Sequence, residues 1–214
     1  QDFRPSYLKI PQFVEQLPVR PVLTAFTATA TGEVRRDIAD KLGLRAPFCL
    51  TTGFDRKNLS FAVRQPRSKL EELQGILREN RDKSGIVYCS TRKNVDMVFE
   101  TLLRAGWACA RYHAGLSEEE RRRSQDDFLF DRIQVMVATN AFGMGIDKSN
   151  VSFVIHYNMP LSLENYYQEA GRAGRDGSPA ECILLFSPQD VATARFLIDH
   201  SEENEALSEE ERDF

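Results

Sequence analysis

Gln134-Val135-Met136-Val137-Ala138, followed at once by Thr139-Asn140-Ala141-Phe142-Gly143-Met144-Gly145-Ile146-Asp147, decides the fold class. The first five residues show no polar alternation, as expected of a strand covered on both faces. The residues after them are small, polar and rich in glycine. Outward from this stretch the same signal repeats in Ile86-Val87-Tyr88-Cys89, in about Trp107 to Tyr112, in Ser152–Tyr157 and in Cys182–Phe186. Helical spacing lies between these runs. Leu70, Leu73 and Leu77 form one stripe. Val95, Val98, Phe99 and Leu102 form another, stopped by Gly106. Ser117 with Glu120 is a capping box opening a helix that runs to Phe128. Further helices are expected over about Ser162 to Gly174, and after Ser187 as cap with Pro188 at the first position, carrying Val191, Ala194, Phe196, Leu197 and Ile198. Continuous apolar strands alternating with amphipathic helices predict an α/β fold, a parallel sheet covered by helices on both faces. In such sheets ligands sit at the carboxyl ends of the strands.

Before this regular region the chain is different in kind. Pro5, Pro11 and Pro18 punctuate residues 1–19 around a short amphipathic helix. Pro21–Phe26 reads as a buried strand, Thr27–Thr31 as a run of small, mostly hydroxyl residues, and Thr31 as the cap of a helix with Val34, Ile38 and Leu42, stopped by Gly43. Phe48-Cys49-Leu50 reads as another strand. Two strands and two helices are too few to close a core. Residues 1–58 are therefore expected to be the tail of a preceding domain with a linker, Gly53–Asn58. Residues 59–199 are the α/β domain, and 200–214 an acidic tail or the entry to a further module.

Composition narrows the function. At 214 residues, 42% hydrophobic and 28% charged, the chain is of ordinary globular make-up. No apolar run is long enough to span a bilayer. The four cysteines, Cys49, Cys89, Cys109 and Cys182, are scattered with no C-x-x-C, against a disulfide framework or a zinc site. Net charge is -4, and residues 202–211 alone hold six Glu, so the chain has no basic coat for nucleic acid. Loops of Ser, Thr and Gly before helix N-termini can still track a phosphate backbone through their N–H groups.

Such loops follow the strands: Ser90-Thr91-Arg92; His113-Ala114-Gly115-Leu116-Ser117; and Thr139 through Asp147. Tyr166-Tyr167-Gln168-Glu169-Ala170-Gly171-Arg172-Ala173-Gly174-Arg175-Asp176-Gly177 adds a cationic fork. If it is helical through Arg175, Gln168, Arg172 and Arg175 share one face. Plainer roles stay open at this level. Ser90 and Ser117 serve equally as helix caps, His113 as a satisfied histidine, Gly143 and Gly145 as turn residues, Asp147 as another, and the two arginines as a surface pair at a helix C-terminus. The chain contains no G-x-x-x-x-G-K-[ST] and no strand ending in a DE-type pair, so the arginines would act on a nucleotide held elsewhere.

Taken together, Val137–Lys148, Val154-Ile155-His156 and Tyr166–Gly177 closely resemble motifs V and VI of RecQ-type DNA helicases. Ile86–Arg92 resembles motif IV, Tyr112–Leu116 the motif after it, Thr24–Ala30 motif III, and Asp2-Phe3-Arg4-Pro5 the segment following the family's aromatic-rich loop. DEAD-box RNA helicases usually carry a His-Arg pair where this chain has Tyr167-Gln168. Phe26 departs from the family's usual Leu. The resemblance implies a RecA-like second helicase domain preceded by the end of a first, whose ATP-binding lysine and magnesium residues lie upstream. ATP with Mg2+ would be held mostly there, and zinc only in a downstream module. It further implies that Arg172 and Arg175 reach the γ-phosphate, with Arg175 as the finger, and that Gln168 senses nucleotide or relays to DNA. Gly145 and Asp147 would face the nucleotide. Ser90, Thr91, Arg92, His113, Gly115, Thr139 and Asn140 would contact single-stranded DNA, and Thr27 and Thr29 would couple hydrolysis to movement. The expected activity is 3′→5′ unwinding of partly duplex DNA in recombination or repair by an intracellular monomer (nucleoid or nucleus, no membrane). This chain alone is expected to be inactive. The competing expectation is a stand-alone α/β binding module without catalysis.

Overall fold

The computed structural model describes residues 5–27, 30–51, 56–143 and 146–195. Thr29, Gly145, the Asp2–Arg4 segment, residues 196–198 of the last expected helix and the acidic tail lie outside the described residues. The chain divides into two compact units, Gln1–Asp55 and Arg56–Phe214. The side chains of Arg56 and Asn58 bond to residues 173–178 of the second unit.

The first unit holds a 3₁₀ turn, Pro5–Lys9, running into α1, Ile10–Glu15, and then α2, Gly32–Lys41. Thr31 caps α2, accepting from the Val34 N–H, and Gly43 at φ 58° follows its end. The two expected strands are absent. Residues 21–27 and 47–51 carry no strand pairing, and Val22, Phe26, Phe48 and Leu50 are between 75% and 93% exposed. An apolar run becomes a strand only when another strand takes up its N–H and C=O groups, and none of the described residues of this unit does.

The second unit is a six-stranded, all-parallel sheet in the order β1-β6-β5-β2-β4-β3. Its strands are β1 Leu59–Arg64, β2 Ser84–Tyr88, β3 Cys109–Tyr112, β4 Val135–Ala138, β5 Val151–His156 and β6 Ala180–Leu185. Between them lie α3 Lys69–Glu79, α4 Arg92–Arg104, α5 Glu118–Leu129 and α6 Leu163–Ala170, and a last helix, α7, occupies 188–195. Strand β1 has no counterpart among the expected strands. It is an edge strand with Phe61 and Val63 at least half exposed, so its pattern lacks the buried run that marks the others.

Alternate residues of β2, β4, β5 and β6 feed two separate cores, the arrangement that a sheet covered on both faces requires. Val87, Val135, Val137, Phe153, Ile155, Ile183 and Leu185 pack under α3 and α4. Ile86, Tyr88, Met136, Ala138, Val154 and Cys182 pack on the other face with Phe128 of α5 and Ala170 of α6. That second face is also covered by Phe142 and Ile146. The described residues of the connection from β4 to β5 thus pack on this face without forming a helix.

Candidate nucleotide and nucleic-acid site

Three neighbouring strands end at the same level. The Cys89 N–H donates to the Ala138 carbonyl at 2.8 Å and the Thr139 N–H to the Tyr112 carbonyl at 3.1 Å. Hence the loops beginning at Ser90, His113 and Thr139 rise side by side from β2, β3 and β4. Thr91, not Ser90, caps α4, its hydroxyl accepting from the Asn94 N–H at 3.2 Å. The Ser90 hydroxyl is buried with no protein partner and lines a cavity of about 60 Å³ shared with Asn140, His156 and Asn158. Ser117 caps α5 with the full capping box, holding the Glu120 carboxyl below its usual range by hydrogen bonds from the Ser117 hydroxyl and N–H.

His113 is 5% exposed and its two nitrogens are both engaged: Nδ1 accepts from the Gly115 N–H at 3.2 Å, and Nε2 meets Asp96 Oδ1 at 3.1 Å. An accepting Nδ1 puts the proton on Nε2, which then donates to Asp96. The imidazole thus shapes the 113–117 loop from beneath. Asp96 also accepts from Arg111 at 2.6 Å. Arg92 lies over Gly115 so closely that a Cβ there would sit 3.3 Å from the Arg92 Cδ and Nη1. The exposed groups of this edge are Arg92, Gly115 and Asn140, with Thr91 and Thr139 half-buried.

Asn158, one residue beyond Tyr157 at the end of β5, braces the same edge. Its Oδ1 accepts from the Ser90 N–H and the Asn94 amide at 3.2 and 3.1 Å, and its Nδ2 donates to Asp190 at 3.1 Å. Asp190 also accepts from Lys69 Nζ at 2.6 Å and from the Ser187 N–H at 2.9 Å. Isolated Asn and Asp residues, Asn158 in a loop, Asn94 in α4 and Asp190 in α7, gave no sequence signal for this network. It joins positions up to 121 residues apart.

The arginine fork differs from its sequence expectation. Helix α6 ends at Ala170, with Gly171 as its C-cap. Gln168 lies exposed on the helix, while Arg172 and Arg175 lie in the turns that follow, so the three do not share a helix face. The turn also lies at the opposite end of the strands from Ser90: the Gly174 N–H donates to the carbonyl of Val151, the first residue of β5. There both arginines clasp the loop between β4 and β5. Arg172 Nη1 donates to the Gly143 carbonyl at 2.5 Å, and Arg175 Nη1 to the Ile146 carbonyl at 2.9 Å and to Asp147 Oδ1 at 3.1 Å. The Asp147 side chain is 92% exposed and that of Arg175 34%, so this pair is the open end of the clasp. Burial pushes the Tyr88 hydroxyl far up, against the nearby Arg172 guanidinium, and it donates to the Phe142 carbonyl at 3.1 Å. Behind the clasp, His156 is 1% exposed, pairs with Glu169 at 2.9 Å and stacks against Tyr88. Chemically, the clasp presents a guanidinium beside a carboxylate on an exposed turn. The strand ends present hydroxyls, N–H groups and one arginine.

Among the described residues no three His, Cys, Asp or Glu side chains gather to hold a metal, and no helix is long and apolar enough to cross a membrane.

Comparison with known proteins places this geometry. Residues 68–177 match the family described as helicase conserved C-terminal domain. The chain is 50% identical over 204 residues to the ATP-dependent DNA helicase RecQ of Bacillus subtilis, covering 95% of this chain and 34% of that protein. It is 43% identical over 191 residues to that of Pasteurella multocida, covering 89% and 30%. The chain thus spans about a third of the length of these relatives. A solved structure of S. cerevisiae Dbp5 bound to Gle1 and IP6 shares the RecA-like fold, with a TM-score of 0.73 at 23% identity, over 95% of this chain and 53% of that one. The chain belongs to the helicase conserved C-terminal domain family, as a RecQ-type member of it.

Proposed function

We propose that residues 56–195 are the second RecA-like half of an ATP-dependent 3′→5′ DNA helicase, and residues 1–55 the end of the first half. The observation that carries this reading is the clasp of Arg172 and Arg175 onto the 143–147 loop. It holds two guanidiniums on one packed surface, with Arg175 and Asp147 at its open end. A nucleotide bound by another domain would meet Arg175 there, with Arg172 behind it keeping the loop in place. Asp147, now paired with Arg175, would release it toward the phosphates and turn to the nucleotide. Gln168 on α6 lies within the same segment as a candidate sensor. Gly145, Thr27 and Thr29 keep their proposed nucleotide and coupling roles.

ATP supplies the phosphoryl group and Mg2+ its charge neutralisation. This chain's part would be to position the phosphates and neutralise their charge through Arg172 and Arg175. At the strand ends, Ser90, Thr91, Arg92, Gly115, Thr139 and Asn140 would hold the single-strand backbone, mostly through N–H and hydroxyl groups, with His113 fixing the loop that carries Gly115. Such a track binds DNA without reading its sequence. The protein would work where DNA is, inside the cell, as a monomer. Any zinc would belong to a segment outside this chain.

Substitution in the complete protein separates the two ends. Arg175→Ala is expected to cut DNA-stimulated ATP turnover by roughly 10³-fold, the loss typical of an arginine finger, with single-strand affinity unchanged. Near-normal turnover with weakened DNA binding would reverse the assignment. The 214-residue chain by itself should show negligible ATPase. Appreciable DNA-stimulated turnover from it would sink the division of labour between the two halves.

A further inference from the structure

The segment Arg56-Lys57-Asn58 reads in sequence as a mere link between units. In the structure it grips the arginine turn from behind. Arg56 Nη2 donates to the carbonyls of Ala173 and Gly174 at 3.1 and 2.6 Å. Asn58 Nδ2 donates to the carbonyls of Gly174 and Ser178 at 2.8 and 2.9 Å, and the Asn58 carbonyl accepts from the Ala180 N–H at 2.9 Å. Arg56 Nε reaches Asn58 Oδ1 at 3.3 Å, so the two side chains brace each other. Two of the gripped carbonyls, those of Ala173 and Gly174, belong to the residues between Arg172 and Arg175. With Gly174 also tied through its N–H to Val151, that peptide is held on both sides. A Cβ at Gly174 would run into the Asn58 amide, so the approach needs glycine there.

Helical propensity does not explain this grip, because the turn lies outside α6. Nor does charge pairing, since Arg56 is spent on carbonyls and not on a carboxylate. A planar guanidinium that gives one nitrogen to two successive carbonyls and its Nε to Asn58 fixes backbone direction, and backbone direction sets where the next side chain, Arg175, emerges. The fork belongs to the first residues after the boundary between units.

We propose that Arg56 and Asn58 are positioning residues for Arg175: they hold the 173–174 peptide so that the Arg175 guanidinium is presented in one place. This rests on the role proposed above for Arg175. Neither residue touches nucleotide or DNA in this scheme.

A double-mutant cycle in the complete protein tests this, reading the kcat and KM of DNA-stimulated ATP turnover and single-strand affinity. Arg56→Ala is expected to lower kcat by about tenfold to a hundredfold, the scale of a small misplacement remote from the chemistry. KM for ATP and DNA affinity should stay within about twofold, and Arg56→Lys, which loses the planar fork, should not restore kcat. In an Arg175→Ala background the same substitution should change kcat by less than about twofold, since no finger remains to be positioned. An equal factor in both backgrounds would reduce Arg56 to general stability and overturn the proposal, as would an unchanged kcat. Near-normal turnover of Arg175→Ala alone would instead remove the finger assignment, a separate failure. If Arg56→Ala does not fold, Asn58→Ala, which removes the bonds to Gly174 and Ser178 and the brace from Arg56 Nε, is read in the same cycle by the same criteria.

Discussion

Gly143 shows what a single residue contributes to the clasp. Its backbone sits at φ 129°, and a Cβ there would overlap the Arg172 guanidinium that bonds to its carbonyl. The substitution Gly143→Ala therefore meets two obstacles, a strained backbone and a displaced arginine. Thermal melts of this chain are expected to show a loss of about 1–3 kcal/mol. Gly177→Ala, at φ 84° with open space around it, should cost less because only the backbone term applies. Equal losses would mean that Arg172 moves aside freely. The sequence marked Gly143 as a turn residue and Arg172 as one prong of a fork. It gave no sign that the two residues meet, since they are 29 positions apart.

At the scale of elements, local chemistry was the most legible part of the chain. The Thr31 cap and the Ser117 capping box appear as expected, and the stops at Gly43 and Gly106 fall at positive φ. Each depends on neighbours within four residues. Helix α6 is the instructive exception. Its apolar spacing continues toward Gly174, yet the helix ends at Ala170: the Arg172 and Ala173 N–H groups turn back to the carbonyls of Glu169 and Ala170, and the Gly174 N–H goes to Val151. The ends of α3 and α7 depend on a similar long-range tie. Lys69 and Asp190 are 14% and 6% exposed, and their bond links the starts of both helices to the Tyr157 carbonyl. Lys69→Met leaves a buried carboxylate with only neutral donors. A urea titration should register a loss of about 3 kcal/mol, as when one partner of a buried pair is removed. An unchanged midpoint would show that Asn158 and the Ser187 N–H suffice for Asp190.

The whole sheet can be followed through its thiols. Cys89 follows β2, Cys109 begins β3 and Cys182 lies in β6, all buried, while Cys49 of the first unit is exposed. Burial pushes the Cys109 thiol up to about 11 and the Cys182 thiol up to about 12, and Cys89 moves the same way. A pKa raised by folding adds stability that is whole below the unfolded thiol value, about 8.5, and is lost as the pH climbs toward the folded value. The melting temperature should hold level to about pH 8 and fall between about pH 9 and 11, with a shallower fall in Cys182→Ala. At pH 8 a thiol-titrating reagent should modify Cys49 promptly and the other three only at the rate of unfolding. Prompt reaction of all four would contradict the two-faced burial of the sheet.

The alternation of unbroken apolar strands with amphipathic helices was enough to specify a parallel sheet covered on both faces, because burial on both sides excludes polar residues from the strands themselves. The loops after β2, β3 and β4 were legible for the same reason: small and hydroxyl residues mark the places where the backbone must stay open. Tertiary structure alone decided what those residues do to one another. It left 21–26 and 48–50 unpaired, because pairing requires a neighbour that local sequence does not name. It turned His113 inward onto Asp96, moved the arginines off their helix to the far end of the strands, and made Arg56 and Asn58 part of the arginine turn. Each of these rests on a polar group finding its partner across 17 to 120 residues. Periodicity carries no information about such pairings, since it records only which face of an element is apolar.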